Sequence, residues 1–500
     1  MNHTLDDSLP NSLLPKRDES ADRTDGQRLR KRPLGRYRYV RLRWRVLFGA
    51  IDSVGTALFR AARGLRRYLL GPTPPAPDPP DDPRVILLVQ LDHLGDAIIS
   101  TAVLPALRRR YPEASIEVLA GTANREVFEA APEVDRVHVS RANRFTRGLA
   151  RFAWIPAMLW WGLRLRSRRV DLGLDVRGDF PVAMILWLAG ARRRFGWDCG
   201  GGGFLLTDRV DFVFGRPEVE SRWAMLAALG IAAPEDSHAG RPRVQPPETI
   251  RRQMDQRWAG DPEGATSVCS DPIHSTSVCS DPIHRVKLGK NNARLRETKT
   301  RPHECGHYER CANGSGRDPA DTTGCTSRVV LHVGSGTPAK QWPVEHWREL
   351  LGRILVDYGA QVALVGGRKD RIIARAILGD RSWPGVTDLT GRLTFVELAA
   401  LLQGADVLVG ADSGPAHLAA AVGTPAIVLF SGTNNASQWQ PCGDRVTIVR
   451  RQVDCSPCHR ERCPRDGHPC LQQLPPAQVA GEVQRELSGG AVRQAERLAA

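Results

Sequence analysis

The chain has 500 residues, of which 41% are hydrophobic, and a formal net charge of +15. This length exceeds that of a typical single core, so we expect two domains with additional segments. Residues 28–67 contain thirteen Lys/Arg and one acidic residue, so +12 of the excess charge lies in one arm. The rest of the chain is close to neutral, which argues against a nucleic-acid-binding core and against nucleic acid as a partner.

Residues 1–83 are expected to form a basic arm with no folded domain. Residues 1–35 are polar, are expected to be disordered, and lack the apolar run of a signal peptide. Over residues 38–70, apolar side chains recur at steps of three and four, which predicts an amphipathic helix. Its apolar stripe comprises Val40, Trp44, Leu47, Ile51, Val54, Leu58, Ala62, Leu65 and Leu69. This helix either lies on an anionic membrane surface or packs on the next domain; a proline-rich linker, 72–83, follows it.

The first folded domain is predicted over residues 84–259. A buried strand at 85–90, a helix at 96–111 and a second strand at 115–120 begin an alternation of strands and helices. This alternation is typical of a parallel, doubly wound α/β sheet. Residues 152–163 are strongly apolar and flanked by arginines, but fall short of the roughly 18–20 residues that a membrane-spanning helix needs.

Residues 260–327 interrupt this pattern. Two nearly identical decapeptides stand in tandem at 265–274 and 275–284, and a polar stretch follows. The segment lacks hydrophobic periodicity, so we predict a disordered insertion between two domains. Its cysteines and histidines match no zinc-finger spacing, which disfavours a metal site there.

The second folded domain is predicted over residues 328–500. Its most informative stretch, 405–430, reads ADVLVGADSGPAHLAAAVGTPAIVLF: a strand, a tight turn, a helix and a second strand. The turn lies at the carboxyl end of a strand, where open α/β sheets bind ligands. It also lies at the start of a helix, where backbone N–H groups and the helix dipole attract phosphate. A nucleotide ligand is therefore expected.

Three side chains are candidates for chemistry in the strand-to-helix turns. Asp96 follows the first strand of the first domain, where its carboxylate could accept a proton from a hydroxyl or simply cap the helix. Asp92 is a competing carboxylate in the same loop. Lys340 follows the turn that contains Gly334 and Ser335, and is either a point charge for a diphosphate or a surface lysine.

The opening of the helix predicted within 405–430 supplies further candidates. Asp412 and Ser413 form its turn, and Gly414 allows close approach of a ligand to the backbone. His417 lies one helical turn further on, where it either contacts a phosphate or is a satisfied core histidine. Beyond this helix, Cys455, Cys458, Cys463 and Cys470 form a compact loop that could hold a structural zinc ion or keep reduced or redox-paired thiols.

Four segments together resemble the ADP-heptose:lipopolysaccharide heptosyltransferases of glycosyltransferase family 9. These segments are 85–111, 175–196, 329–347 and 387–430, and the cysteine pattern of the late loop is similar to that of many members. The resemblance covers about 84–240 and 328–488. It implies a GT-B fold, in which two Rossmann-like domains face a cleft, with the acceptor on the first and a nucleotide sugar on the second. It also implies an inverting, metal-independent transfer that needs no cofactor.

The resemblance assigns roles to the candidates. Asp96 would be the base, and Lys340 would hold the donor diphosphate. Asp412 would contact the donor sugar. The remaining donor-binding residues implied are Gly334, Ser335, Asp370, Ser413, Gly414 and His417.

The chain also departs from the family pattern. Gln90 stands where members often have arginine, and 431–433 reads Ser-Gly-Thr where they often have Gly-Pro-Thr. ADP-heptose is the favoured donor and a lipid A–core molecule the acceptor, with the enzyme peripheral on the cytoplasmic face of an anionic membrane. Alternatives are another nucleotide sugar, or a non-catalytic nucleotide-binding or membrane-adaptor protein. A nicotinamide dehydrogenase is disfavoured, because no G-x-G-x-x-G follows either first strand.

Overall fold

The computed structural model describes residues 42–70, 82–142, 154–236, 238–258 and 326–499. The predicted polar segment 1–35 lies outside these residues, as does the predicted insertion apart from its last two positions. The predicted linker 72–83 is described only at its last two residues.

The amino-terminal half contains a six-stranded parallel sheet in the order β3-β2-β1-β4-β5-β6. Its strands are β1 Val85–Gln90, β2 Ser115–Gly121, β3 Arg136–Ser140, β4 Leu172–Asp175, β5 Arg193–Trp197 and β6 Asp208–Val210. Strands β1, β2 and β4 are almost wholly buried, because helices cover both faces of the sheet. The predicted parallel, doubly wound sheet is confirmed.

The described residues before 260 form eight α-helices: α1 Leu42–Leu70, α2 Leu94–Thr101, α3 Leu104–Arg110, α4 Arg125–Glu129, α5 Trp154–Leu165, α6 Phe180–Leu188, α7 Glu218–Ala227 and α8 Glu248–Trp258. Helices α2, α3 and α7 pack on one face of the sheet, and α5 and α6 on the other. The prediction of one helix over 96–111 was wrong, because the helix divides into α2 and α3. Pro105 lies in the first turn of α3, where its missing N–H is tolerated, whereas inside a continuous helix it would break a hydrogen bond.

The carboxyl-terminal half repeats the plan with the order β12-β11-β10-β7-β8-β9, again with every pair parallel. Its strands are β7 Arg328–His332, β8 Gln361–Val365, β9 Val386–Asp388, β10 Val407–Ala411, β11 Ala426–Leu429 and β12 Val446–Val449. Its helices are α9 Val344–Tyr358, α10 Arg371–Leu378, α11 Phe395–Gln403, α12 Gly414–Ala421, α13 Ala436–Trp439 and α14 Pro476–Ala499. In each sheet the strand order reverses beside the first strand, which places a ligand crevice at the carboxyl ends of β1 and β4 and of β7 and β10.

The two halves contact each other through buried and polar groups. The backbone N–H of Phe395 donates to Glu126 Oε2 at 2.7 Å, and Gln438 Nε2 donates to Glu218 Oε1 at 2.9 Å. Helix α8 lies within the range predicted for the first domain but packs on α11 of the second half. Its Asp255 accepts a hydrogen bond from Arg328 at 2.8 Å. Residues 248–258 are thus attached to the carboxyl-terminal half.

The helix predicted over 38–70 is confirmed over its described residues, 42–70, as α1. The face of α1 that packs on the domain is not the predicted apolar stripe. Asp52, 5% exposed, accepts a hydrogen bond from the backbone N–H of Gly202 at 2.7 Å. The ring of Phe59 lies 5.3 Å from that of Phe204. The predicted stripe is left largely exposed, including Trp44, Leu47, Val54, Leu58, Leu65 and Leu69. None of the described helices is long and apolar enough to cross a membrane.

Candidate active site

Lys340 and Asp412 form an ion pair at the carboxyl ends of β7 and β10. Lys340 closes a short 3₁₀ turn, Pro338–Lys340, and its Nζ lies 2.6 Å from Asp412 Oδ2 and 3.1 Å from the Asp412 carbonyl oxygen. The Asp412 residue is 5% exposed. The structure therefore brings the two predicted residues together from loops 72 residues apart, which excludes the simpler interpretation of Lys340 as a surface lysine.

Asn434 completes this cluster and was not predicted from the sequence. Its Nδ2 donates to Asp412 Oδ2 at 3.0 Å from the loop after β11. The sequence did offer one signal for Asn434: it is a polar residue just past the carboxyl end of β11, the strand next to β10. Loops at the carboxyl ends of these strands border the same crevice. Asn434 follows the 431–433 turn, where this chain departs from the family pattern.

The histidines next to this cluster are neutral at pH 7. Burial lowers the pKa of both His332 and His417 to about 4; for His417 the Lys340 charge lowers it further, while Asp412 opposes the shift. Ser413 Oγ donates to the Ala411 carbonyl at 3.1 Å and lies 3.2 Å from His332 Nδ1. His417 can thus offer a ligand an N–H group but not a positive charge.

The loop after β7 is held in place by its own side chains. Ser335 Oγ donates to the Thr337 carbonyl at 2.8 Å, and Gln341 Nε2 donates to the Val333 carbonyl at 2.9 Å. Thr337 Oγ1 is buried and has no hydrogen-bond partner within the described chain. The Ser335 hydroxyl therefore shapes the loop, and the Thr337 hydroxyl, missed by the sequence analysis, is a further group beside Lys340.

Asp370 lies directly against Gly334. A Cβ atom on Gly334 would stand 2.2 Å from Asp370 Oδ2, so a glycine is required there by the close approach of the carboxylate. Asp370 Oδ2 accepts a hydrogen bond from the Gly367 N–H at 2.8 Å, and burial raises the pKa of the carboxyl group. Asp370 thus borders the same crevice from the loop after β8.

The first turns of α2 and α12 meet between the two halves. A Cβ atom on Gly95 would lie 3.0 Å from His417 Cδ2, and one on Gly414 would lie 2.7 Å from the Leu94 side chain. Asp96 is the third residue of α2, behind the N-cap His93. The structure therefore places Asp96, one residue from the Gly95–His417 contact, beside the predicted donor residues.

The competing carboxylate, Asp92, is engaged elsewhere. It is 6% exposed and forms an ion pair with Arg177, which also pairs with Asp179. The Arg177 guanidinium group therefore occupies the Asp92 carboxylate in this structure. The assignment of Asp96 as the base, which the resemblance implies, stays a prediction.

A chain of buried polar side chains runs from the end of β1 to the other half of the molecule. Ser100 Oγ donates to Gln90 Oε1 at 3.1 Å, and Arg222 Nε donates to Ser100 Oγ at 3.3 Å. Arg222 pairs with Glu218 at 2.9 Å, and Gln438 reaches Glu218 from the carboxyl-terminal half. Gln90 is thus the first member of an interdomain hydrogen-bond chain.

The cysteine loop braces the Lys340 turn. The Ala339 N–H donates to the Glu461 carbonyl at 3.0 Å, and the Cys458 N–H donates to the Gly432 carbonyl at 2.8 Å. Cys455, Cys458, Cys463 and Cys470 are free thiols, and burial raises the pKa of Cys470. Across the described ranges no group of three or more His, Cys, Asp or Glu side chains could hold a metal ion. Zinc binding by these cysteines stays a prediction.

Two parallel six-stranded sheets whose strand-end loops border one crevice define a GT-B fold, as predicted. Residues 313–468 match the sequence profile described as Glycosyltransferase family 9 (heptosyltransferase). This carboxyl-terminal segment, which contains Lys340, Asp412 and His417, is therefore similar to glycosyltransferase family 9.

Similarity to individual proteins extends over most of the described chain. The chain is 24% identical over 371 residues to lipooligosaccharide heptosyltransferase 2 of Haemophilus ducreyi, and the alignment covers 73% of this chain and 88% of that protein. It is 22% identical over 406 residues to lipopolysaccharide heptosyltransferase 2 of Escherichia coli K12, covering 80% and 97%. The solved E. coli ADP-heptose LPS heptosyltransferase II superposes with a TM-score of 0.55 at 20% identity, covering 81% of this chain and 99% of that one. This likeness shows that the fold is shared.

Proposed function

We propose that the protein transfers heptose from ADP-heptose to a lipid-linked lipopolysaccharide core acceptor. The observation that carries the proposal is the Lys340–Asp412–Asn434 cluster, which lies across the crevice from the turn that bears Asp96. The names of the two heptosyltransferase relatives support the sugar and the acceptor, and the name of the solved E. coli enzyme, which includes ADP-heptose, supports the donor.

The proposed reaction inverts the anomeric centre in one displacement. Asp96 takes the proton of the acceptor hydroxyl while the hydroxyl oxygen bonds to the anomeric carbon of the donor. The bond from that carbon to the diphosphate oxygen breaks, and ADP leaves with the electron pair. Lys340 stabilises the charge that develops on the diphosphate, so we propose that no metal ion is required. Asp412 holds the lysine and Asn434 holds Asp412; both face the sugar, and Asp370 faces the nucleoside.

The test is sugar transfer by purified protein, with the released nucleotide measured for ADP-heptose and for other nucleotide sugars. Asp96→Asn should lower kcat by about 10²–10⁴-fold, whereas the exposed Asp211→Asn serves as a matched control in the same half. Wild-type activity should persist in EDTA. Unchanged transfer by Asp96→Asn would refute the base assignment. A wild-type chain that transfers no sugar from any nucleotide donor would favour the non-catalytic adaptor.

We also infer a peripheral location on the cytoplasmic face of an anionic membrane. The support is α1, whose exposed apolar stripe is accompanied by Arg43, Arg60, Arg63 and Arg67. Such a helix suits the interface of an anionic bilayer. A Leu47→Glu/Leu58→Glu/Leu65→Glu variant keeps the face that packs on the domain and should lose sedimentation with anionic vesicles while keeping its transfer activity. Equal sedimentation of the variant and the wild type would contradict this location.

A further inference from the structure

Exposed apolar side chains concentrate on three neighbouring helices. Of the sixteen large hydrophobic side chains that are exposed in the described chain, nine lie on α1, four on α5 and one on α6. Helix α5 packs on α6, where Gly162 lies against Leu188, and α1 packs on α6, where the Phe59 and Trp187 rings are 5.7 Å apart. We call the exposed surface of α1, α5 and α6 the apolar face; it covers one side of the amino-terminal half.

A cavity of about 630 Å³ opens at the edge of the apolar face, where α5 ends. Trp160 and Leu163, 53% and 56% exposed, belong both to the cavity wall and to the apolar face. The other walls carry Arg136 from β3 and Arg164 and Arg168 from the end of α5 and the turn that follows it. The cavity therefore combines guanidinium groups with an apolar rim.

A buried acid holds one of these arginines in place. Glu117 is 0% exposed, and its carboxylate lies 2.7 Å from His138 Nε2 and 3.0 Å from Arg168 Nε. Burial alone would raise the pKa of Glu117, but these hydrogen bonds lower it to about 2. Glu117 is thus a permanent anion that neutralises Arg168 and fixes the cavity wall.

Two positive charges remain at the cavity for a ligand. Arg136 and Arg164 line the cavity, and none of its described lining residues carries a carboxylate. The Arg164 guanidinium lies 5.2 Å from the centre of the Trp160 ring. Stacking on tryptophan orients the guanidinium while leaving its N–H groups available. Two guanidinium groups at one cavity suit the negative charge and the hydrogen-bond acceptors of a phosphate group.

We propose that this cavity binds the phosphate group of an anionic phospholipid while the apolar face contacts the bilayer. A small soluble phosphate would satisfy the arginines but would make no use of the exposed Trp160 and Leu163. A lipid headgroup satisfies both, because its phosphate lies next to acyl chains that the apolar face can contact. The inference rests on the proposed membrane location and is independent of sugar transfer.

The experiment measures co-sedimentation of the full chain with vesicles of phosphatidylcholine, with or without phosphatidylglycerol. Arg136→Ala/Arg164→Ala should lower the partition coefficient onto the anionic vesicles about thirty-fold and leave partition onto phosphatidylcholine unchanged. One control, Arg109→Ala/Arg110→Ala, alters α3 on the opposite face of the sheet and should have little effect. A second control, Arg60→Ala/Arg63→Ala, removes charge from α1 outside the cavity.

Calorimetry with short-chain phosphatidylglycerol and with inorganic phosphate distinguishes the two sources of phosphate. The proposal predicts one saturable lipid site that Arg136→Ala/Arg164→Ala abolishes and the α1 control retains. Equal affinity for inorganic phosphate, or equal losses of calorimetric affinity for the short-chain lipid in the cavity and α1 variants, would overturn it. Self-association that the cavity variant abolishes would also overturn it, in favour of a second copy of the chain. If the wild-type chain binds no vesicle, both this proposal and the membrane location are overturned. Neither assay measures sugar transfer, so the proposed transferase activity is tested separately.

Discussion

Replacing Lys340 with alanine tests the centre of the site, because one side chain serves two purposes there. Its ammonium group is 2.6 Å from Asp412 Oδ2, and the lysine side chain is only 17% exposed. Removing it deletes the proposed counter-charge of the diphosphate, for which a loss in kcat/KM of about 10²–10³-fold is expected. It also leaves the buried Asp412 carboxylate next to the neutral amide of Asn434, which should lower the free energy of unfolding by about 1–3 kcal/mol.

The two effects can be separated with a second variant. Lys340→Ala/Asp412→Asn removes both charges, so it should recover most of the lost stability but none of the lost activity. Urea denaturation gives the first quantity and steady-state release of ADP the second. Arg353→Ala is the matched control, since it breaks an exposed pair with Glu349 on α9 and should change neither quantity by more than about 0.5 kcal/mol. Wild-type kcat/KM in a folded Lys340→Ala protein would refute the role of the lysine.

Two further predictions concern the same crevice. His332 and His417 have pKa values of about 4, below the value of 6.5 that a histidine has when unfolded, so the unfolded chain binds more protons between these pH values and stability should fall as the pH falls from 6.5 towards 4. The loss in the free energy of unfolding is on the order of 3 kcal/mol for each histidine. His417→Gln should make the free energy of unfolding, measured by urea denaturation, depend less steeply on pH over this range. A wild-type free energy of unfolding that does not change with pH would contradict the burial argument. Gly334→Ala places a Cβ atom 2.2 Å from Asp370 Oδ2 and should weaken ADP binding about tenfold in calorimetry by displacing the carboxylate; an unchanged affinity would remove Asp370 from the nucleotide site.

Much of the fold follows from local patterns in the sequence. Buried strands alternate with amphipathic helices, and each strand-to-helix turn borders the crevice, so Lys340 and Asp412 could be assigned to one site without a structure. The contact between Asn434 and Asp412 was not predictable in this way, because it depends on which side chain of a loop turns inward.

The packing of α1 shows a similar limit. Its periodicity predicted the helix and the apolar stripe correctly, and both interpretations of that stripe assumed that it was the contact surface. The domain is instead contacted through Asp52 and Phe59, because the Gly202 N–H and the Phe204 ring, 150 and 145 positions away, offer partners to that side. The periodicity of a helix shows which of its faces are apolar, but it does not show which residues each face packs against.

The hydrogen-bond chain that joins Gln90, Ser100, Arg222, Glu218 and Gln438 has a consequence for recombination between relatives. Its first four members come from the amino-terminal half and the last from the carboxyl-terminal half. A chimaera that keeps one half of this protein and takes the other from a relative inherits only one side of the Glu218–Gln438 link. Compatibility at positions 218 and 438 is therefore a simple criterion for choosing parents whose halves can be exchanged, and one that overall percentage identity does not capture.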